Sequence, residues 1–344
     1  MTTQRPRPFN QSSETPAPKP YAMVSFPKER PQLQQPIGQD KYHENRCHGI
    51  LHLTLKVQTA LHVSTGIVVM GSDVGQKSIP LIKTMMQGTE GQLIIPGSSL
   101  KGVVRSVYEA ITNSTLAVIT QRYKNDIPSE RLPCRDKNRL CPASRVFGAL
   151  DWQGLINFTD ARCQSAGFRA GFMPSLYRPH SEAKHNYFKQ GKVAGRKFYY
   201  HTIKAVDKGQ QQGIPVQQAV KEFVFKTQLH YRNLSQAELG TLLIVLGQDK
   251  PKHPIALKVG GGKPIGMGTM AAEITLLEQP ANLRDRYLSY ESKPTQLAGS
   301  QLQQMVQKAI AEAHRQQLVQ SQQLQELADV LKYPTDREPP EGMY

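Results

Sequence analysis

The chain has 344 residues, with 43 Lys and Arg against 27 Asp and Glu, a formal net charge of +16. A surplus of that size attracts polyanions, of which nucleic acid is the commonest. No run of eighteen apolar residues is present, so no transmembrane helix and no membrane partner is expected; four cysteines are too few for a disulfide scaffold, and a cytoplasmic location is expected.

Residues 1–20 are rich in Pro, Thr, Ser and Gln and are expected to be disordered, because they bury too little apolar surface to offset ordering. They contain no apolar segment of the kind a secretory signal needs. Residues 21–45 alternate Pro with isolated hydrophobics such as Tyr21, Val24 and Phe26, which predicts an extended arm on the domain surface. The first clear strand is Ile50 to Thr59: Leu51, Leu53, Leu55 and Val57 share one face, and His52, Thr54, Lys56 and Gln58 the other.

A helix is predicted to start near Ser98 or Ser99, either of which can cap it, with a stripe of Leu100, Val103, Val104, Val107, Tyr108 and Ile111. Gly154 to Ala161 reads as a short strand. A stronger one runs from Glu222 to Arg232, with Phe223, Phe225, Thr227, Leu229 and Tyr231 on one face. Ser235 and Glu238 form a capping box for a helix ending near Leu246. A final strand covers Thr269 to Leu276. After Pro280 comes a Gln-rich helical tail, Gln301 to Leu331, whose apolar positions Leu302, Met305, Val306, Ile310 and Ala313 need cover, for which a neighbouring subunit is a candidate. Two strand–helix halves separated by an insertion suggest an α+β, ferredoxin-like sheet. The expected divisions are 1–20, a domain over 21–280 and a tail over 281–344.

Two segments carry the chemistry. In Ile95-Pro-Gly-Ser-Ser-Leu-Lys-Gly-Val-Val-Arg105, Ser98 and Ser99 offer hydroxyls and amides at a helix start, and Lys101 and Arg105 lie four apart on one face. Together they form a candidate anion site; the alternative is an ordinary capped helix with solvated cations. In Gly260-Gly-Gly-Lys-Pro-Ile-Gly-Met-Gly268, five glycines allow close backbone approach to a ligand. The spacing does not match a phosphate loop, and the segment does not open a helix as a dinucleotide fingerprint does. Its alternative is a flexible turn.

On these two segments the chain resembles the RAMP superfamily of CRISPR-associated proteins, specifically backbone subunits of type III effector complexes. Cys141-Pro-Ala-Ser-Arg-Val-Phe-Gly148 and Ile156-Asn-Phe-Thr-Asp-Ala161 add to the likeness. Gly195-Arg-Lys-Phe-Tyr-Tyr-His201 and Pro20-Tyr-Ala-Met-Val-Ser-Phe-Pro27 resemble variants of the type III-D branch. The resemblance covers residues 20 to 278 and implies a ferredoxin-like (RRM-like) fold with an inserted thumb hairpin. It implies guide-RNA binding, pairing with a complementary target RNA, and assembly with other RAMP subunits and a large subunit. The phosphate contacts would fall to Ser98, Ser99, Lys101, Arg105, Gly260, Gly261, Gly262 and Lys263.

The thumb is placed within Gly171 to Gln218. Between Arg178 and Lys208 there are eight Lys or Arg and two acidic residues, interleaved with Tyr187, Phe188, Phe198, Tyr199 and Tyr200. Cations such as Arg196 and Lys197 suit phosphates, and aromatic faces suit unstacked bases. Some of these aromatics are expected in the core.

Cleaving relatives carry an Asp two residues before a Pro in the loop after the first strand. Ser78 stands there in this chain, and a hydroxyl cannot replace a carboxylate on Mg²⁺. A scaffold rather than a nuclease is therefore expected; the alternative is a metal-dependent endoribonuclease using Asp73, with magnesium needed only in that case. Asp73 otherwise reads as a turn residue. His52 and His62 show no nucleophile partner. Cys134 and Cys141 match a position where relatives bind structural zinc, with Ser144 in place of a third Cys; Cys47, His43, His48 or Cys163 could complete a set. Unligated thiols are the alternative.

Overall fold

A computed structural model describes residues 20–174, 187–206, 213–281, 288–289 and 293–340. The expected disorder of the N-terminus lies outside these residues except for Pro20, and so do residues 175–186 and 207–212 of the expected thumb. The elements that position the site are, in chain order, β1 (Tyr21–Ser25), β2 (Cys47–Val57), β3 (Ser64–Met70), β4 (Leu81–Met85), β5 (Ile94–Ile95), α1 (Gly97–Ile111) and α2 (Pro142–Phe147). They continue with β6 (Ile156–Phe158), β7 (Ala161–Cys163), β8 (Arg169–Pro174), β9 (Gly195–Tyr199), β10 (Gly213–Gln218) and β11 (Val224–Leu234). The last are α3 (Gln236–Val245), β12 (Leu257–Lys258), β13 (Thr269–Gln279), β14 (Thr295–Leu297), α4 (Gly299–Arg315) and α5 (Ser321–Leu331).

The central sheet has the order β12-β13-β2-β11-β7-β5, with β6 also on β11 and β14 on β13. Its neighbours are antiparallel: Leu53 of β2 pairs with Thr227 of β11, and Val57 with Met270 of β13. Alternation decides the faces. Leu51, Leu53, Leu55 and Val57 are buried against α1 and α3, together with Phe225, Leu229 and Tyr231. A second sheet, β8-β10-β4-β3, joins β4 to β10 in parallel, Val216 opposite Lys83.

Several expectations need adjustment. The strand expected at Gly154 to Ala161 is split into β6 and β7 at Thr159, whose amide still donates to Gln228 O at 3.0 Å while its hydroxyl accepts from Gln228 N at 3.0 Å and its carbonyl from the Thr227 hydroxyl at 2.7 Å, side-chain bonds that interrupt the regular ladder. The arm is less superficial than expected. Its β1 pairs with β9, Tyr21 opposite Tyr199, and buries Tyr21 and Val24.

The Gln-rich tail forms two helices, broken at Gln316–Gln320 where Gln317 has φ of 52°. Its apolar face is covered by this chain itself, not left for a neighbour. Leu302, Val306, Ala309, Ile310 and Ala313 join the main core, and α4 lies against α3. The crossing needs Gly240: a Cβ there would sit 1.8 Å from the Ala309 carbonyl oxygen. Covered on one side by α4 and on the other by the sheet, α3 is buried from Ala237 to Val245. Its capping box is present as expected, Ser235 Oγ accepting from Glu238 N at 3.1 Å and Glu238 Oε2 from Ser235 N at 2.9 Å. Among the described residues no helix is long and apolar enough to cross a membrane.

Candidate nucleic-acid interface

Helix α1 starts one residue earlier than expected, at Gly97, and neither Ser98 nor Ser99 caps it. Gly97 is pressed against the β6–β7 turn, where a Cβ would stand 2.2 Å from Phe158 O. The turn's own Asp160 therefore reaches the helix end, and its Oδ1 accepts from Gly97 N at 2.8 Å. Freed from capping, Ser98 is exposed, Ser99 half-buried, and Gly102 opens onto empty space one turn on. Lys101 flanks this open face. Its Nζ donates to Ile156 O at 3.0 Å, and burial, then the nearby Arg105, lowers its pKa.

Arg105 and Arg196 do not join Lys101 at the surface. Arg105 Nε donates to Glu109 Oε1 at 2.7 Å, and Arg196 Nη2 donates to Glu109 Oε2 and, at 3.2 Å, to Thr115 O. Glu109 is 4 % exposed. The two cations balance a buried carboxylate, so Arg196, expected to meet RNA, faces inward instead. Burial pushes its pKa down and Glu109 works against that.

Lys197 is likewise engaged, with Nζ 4.7 Å from the ring centroids of Tyr21 and Tyr199 and 5.5 Å from that of Tyr187. Tyr21 stacks on Tyr187. Tyr200 carries the Arg337 guanidinium at 4.2 Å, and Phe198 packs on the core. Tyr187, Tyr199 and Tyr200, read as base platforms, are thus occupied by this protein's own arm and tail, and Phe198 by its core.

The glycine segment lies between β12 and β13. Gly260, Gly262, Gly266 and Gly268 all have positive φ. At Gly268 a Cβ would come within 1.9 Å of Val259 O, and at Gly260 within 2.4 Å of His62 O. At Gly260 and Gly268 glycine is required by close approach of backbone to backbone within the protein, whereas Gly262 is crowded by the Met267 side chain and Gly266 by the Thr202 hydroxyl and the Lys204 carbonyl. Gly261 is exposed, although its amide donates to His62 O at 2.9 Å. Lys263 is half-buried, and burial lowers its pKa.

Beneath the segment lies Lys258, whose Nζ donates to Gly266 O at 3.2 Å and Thr269 Oγ1 at 3.3 Å. No carboxylate pairs with it among the described residues. Burial, followed by the charge of Lys263, brings its pKa down to about 7. His201 shares Thr269, with Nδ1 2.9 Å from Oγ1, and burial depresses its pKa to about 3.

The two segments do not form one pocket. Helix α1 enters from β5 at one edge of the sheet, and the glycine segment joins β12 to β13 at the other. Four strand spacings separate β13 from β5, roughly 19 Å. Helix α1 crosses this width far enough to touch β12. Ser98 and Lys101 at the start of α1 and Gly261 and Lys263 of the glycine segment are therefore two separate places on the sheet.

Asp73 is exposed on a single 3₁₀ turn, Gly71–Val74, with the Ser72 hydroxyl 3.4 Å from Oδ1; Ser78 is exposed nearby in the same β3–β4 connection. His52 Nε2 lies 3.3 Å from Glu278 Oε1, while His62 is buried with Nδ1 2.7 Å from Gln217 O.

Cys134 and Cys141 do meet: the Cys141 amide donates to Cys134 Sγ at 3.4 Å. Cys47 Sγ bonds to Gln236 Oε1, and His48 bonds to His43 O and Asn233 N. No group of three or more His, Cys, Asp or Glu able to hold a metal occurs among the described residues. The thiol pair with Thr115 and Ser144 hydroxyls does not amount to a zinc tetrahedron.

A family model described as the RAMP superfamily matches residues 54–271, well over half of the chain. The chain belongs to the RAMP superfamily. No curated protein matches it. The matched span of this RAMP protein contains the helix start, the glycine segment, the thiol pair and Asp73, and its mixed α+β architecture is consistent with the family. Membership supports a CRISPR-associated protein that binds RNA and works in a complex.

Three residues that shape the RAMP interface escaped the sequence reading. Glu109 was signalled by its i,i+4 spacing from Arg105. Asp160 gave no local signal, because it caps a helix that starts 63 residues earlier. Lys258 looks like any strand lysine until its burial is seen.

Proposed function

We propose that this RAMP protein is a guide-RNA-binding backbone subunit of a type III CRISPR effector complex, of the III-D kind, which shapes the guide–target duplex for antiviral defence. The observation that carries the reading is the face of α1 within the family-matched span on which Ser98 and Gly102 are exposed beside Lys101. The helix end itself is taken by Asp160, so a phosphate here would be met by the Ser98 hydroxyl and the Lys101 ammonium rather than by free helix amides. Gly261, exposed, and the half-buried Lys263 would supply a second, separate contact. The order β2, α1, β6–β7, β11, α3, β13, with β13-β2-β11-β7 adjacent in the sheet, supports a ferredoxin-like arrangement. The thumb would be the extension carried by β8 and β10.

Photocrosslinking of a 4-thiouridine guide in the assembled complex tests this. Adducts are expected on peptides containing Ser98–Gly102 and Gly261–Lys263; their absence, with guide bound, overturns the reading. Exposed Asp73 favours a second reading, a metal-dependent cut in the target RNA. Asp73→Ala in the complex would then abolish one cut while guide binding persists, and an unchanged cutting pattern rejects it.

A further inference from the structure

At the other end of β2 from the glycine segment lies a polar cleft of about 730 Å³. It is lined by the arm, the start of β2, the starts of α2 and α3, and the turn between α4 and α5. Three arginines line it, Arg30, Arg46 and Arg145, together with Glu29 and Glu238.

The ion pairs of Arg46 and Arg145 are long, and Arg145 Nη1 also donates to Gln34 Oε1. Glu238 is already held by its capping box, and its oxygens lie 3.7 Å from Arg46 and 3.8 Å from Arg145. One carboxylate thus stands between two cations. Arg145 Nε is buried with no hydrogen-bond partner. Arg30 is exposed, yet its backbone is fixed: Asn113 Nδ2 donates to Arg30 O at 3.1 Å, and the buried Arg131 donates to Glu29 O at 2.8 Å and Pro27 O at 2.6 Å.

The start of α5 opens on the same cleft. It has no side-chain cap and no acidic residue in its first turn, so its partial positive charge adds to that of the arginines. The volume lies within the usual range for a ligand site, and Gln32, Gln34 and Gln316 add polar residues to its lining. Much of the lining, including Arg30, Arg46 and the α4–α5 turn, falls outside the family-matched span of 54–271.

We propose that this cleft binds a phosphate group of single-stranded RNA, giving the chain a second polyanion contact about 33 Å along β2 from the glycine segment. The proposal rests on the RNA-binding reading above. It adds a contact at the opposite end of β2 from the glycine segment, a further point at which the same RNA can be held.

Two substitutions in the full-length chain test it, each read by fluorescence anisotropy of a labelled single-stranded RNA across a salt series. Arg30→Gln removes an exposed cation and should weaken binding about fivefold to tenfold and flatten the salt slope by about one. Ser321→Asp places a carboxylate at the uncapped α5 start. It should weaken RNA binding similarly while holding or raising the melting temperature, since an acid at that position favours the helix.

Lys101→Ala is measured beside them. If it weakens binding while both cleft variants bind as wild type, the cleft proposal is overturned and the helix-start reading stands. If only the cleft variants weaken binding, the cleft stands and the helix start is not a phosphate site. Wild-type protein that binds no RNA overturns both. A polyglutamate peptide that outcompetes RNA for the cleft overturns it in favour of an acidic protein partner.

Discussion

Arg196 reaches from the second half of the chain to the carboxylate of Glu109, 87 residues earlier. That contact ties β9, and through it the β1 arm, to the flank of α1. Arg105 occupies the other carboxylate oxygen. A single buried anion therefore holds two guanidinium groups that would otherwise be free for nucleic acid.

Glu109→Gln should destabilise the protein by about 3–5 kcal/mol, because it leaves two largely buried cations with a neutral partner. Urea denaturation checks this. A loss below about 1 kcal/mol would mean that the arginines find water when the carboxylate is removed.

Gly240→Ala should also destabilise, for a reason of shape rather than charge. The added methyl would lie 1.8 Å from Ala309 O, so α4 must move off α3. A cost of about 1–3 kcal/mol is expected from overpacking. Limited proteolysis would show faster cleavage at the displaced α4, and an unchanged digestion pattern would contradict the close crossing.

These two sites show where local pattern suffices. The Leu51–Val57 alternation and the Ser235–Glu238 capping box are short-range, and both sheet face and helix start follow from a few neighbours. The inward turn of Arg196 is not local. Its segment is basic and aromatic, as an RNA-contacting loop would be, and its partner is distant in sequence. Gly260 and Gly268 are ambiguous in the same way: ligand approach and backbone packing need the same residue, and only the positions of His62 O and Val259 O show that packing requires it at these two. The tail helix was read correctly as amphipathic, but its cover could not be named from the pattern of the tail alone.

Stability should rise with pH above neutrality through Lys258. Its folded-state pKa is about 7, against 10.5 for the free side chain. Between these values the unfolded chain binds more protons than the folded one, so deprotonation favours folding. Below pH 7 both states are charged, and the cost of burying the ammonium is fully present. Lys258→Met should flatten the rise between about pH 7 and 10 and stabilise the protein most near pH 7. Thermal melts over that range check the slope. His201 has the same sign on the acid side: with a pKa near 3, it stays neutral when folded, and stability should fall as pH drops from about 6.5 towards 3.

Lys101→Ala tests the interface directly. Lys101 has one hydrogen bond to Ile156 O and sits beside the exposed Ser98 and Gly102 face, so its remaining donors can meet a phosphate. Removing it should weaken RNA binding about tenfold at moderate salt and reduce the slope of log affinity against log salt by about one unit. The side chain is partly buried, so a melting curve must accompany the titration. Weaker binding with an unchanged salt slope would assign Lys101 to holding the β6 edge rather than to the phosphate.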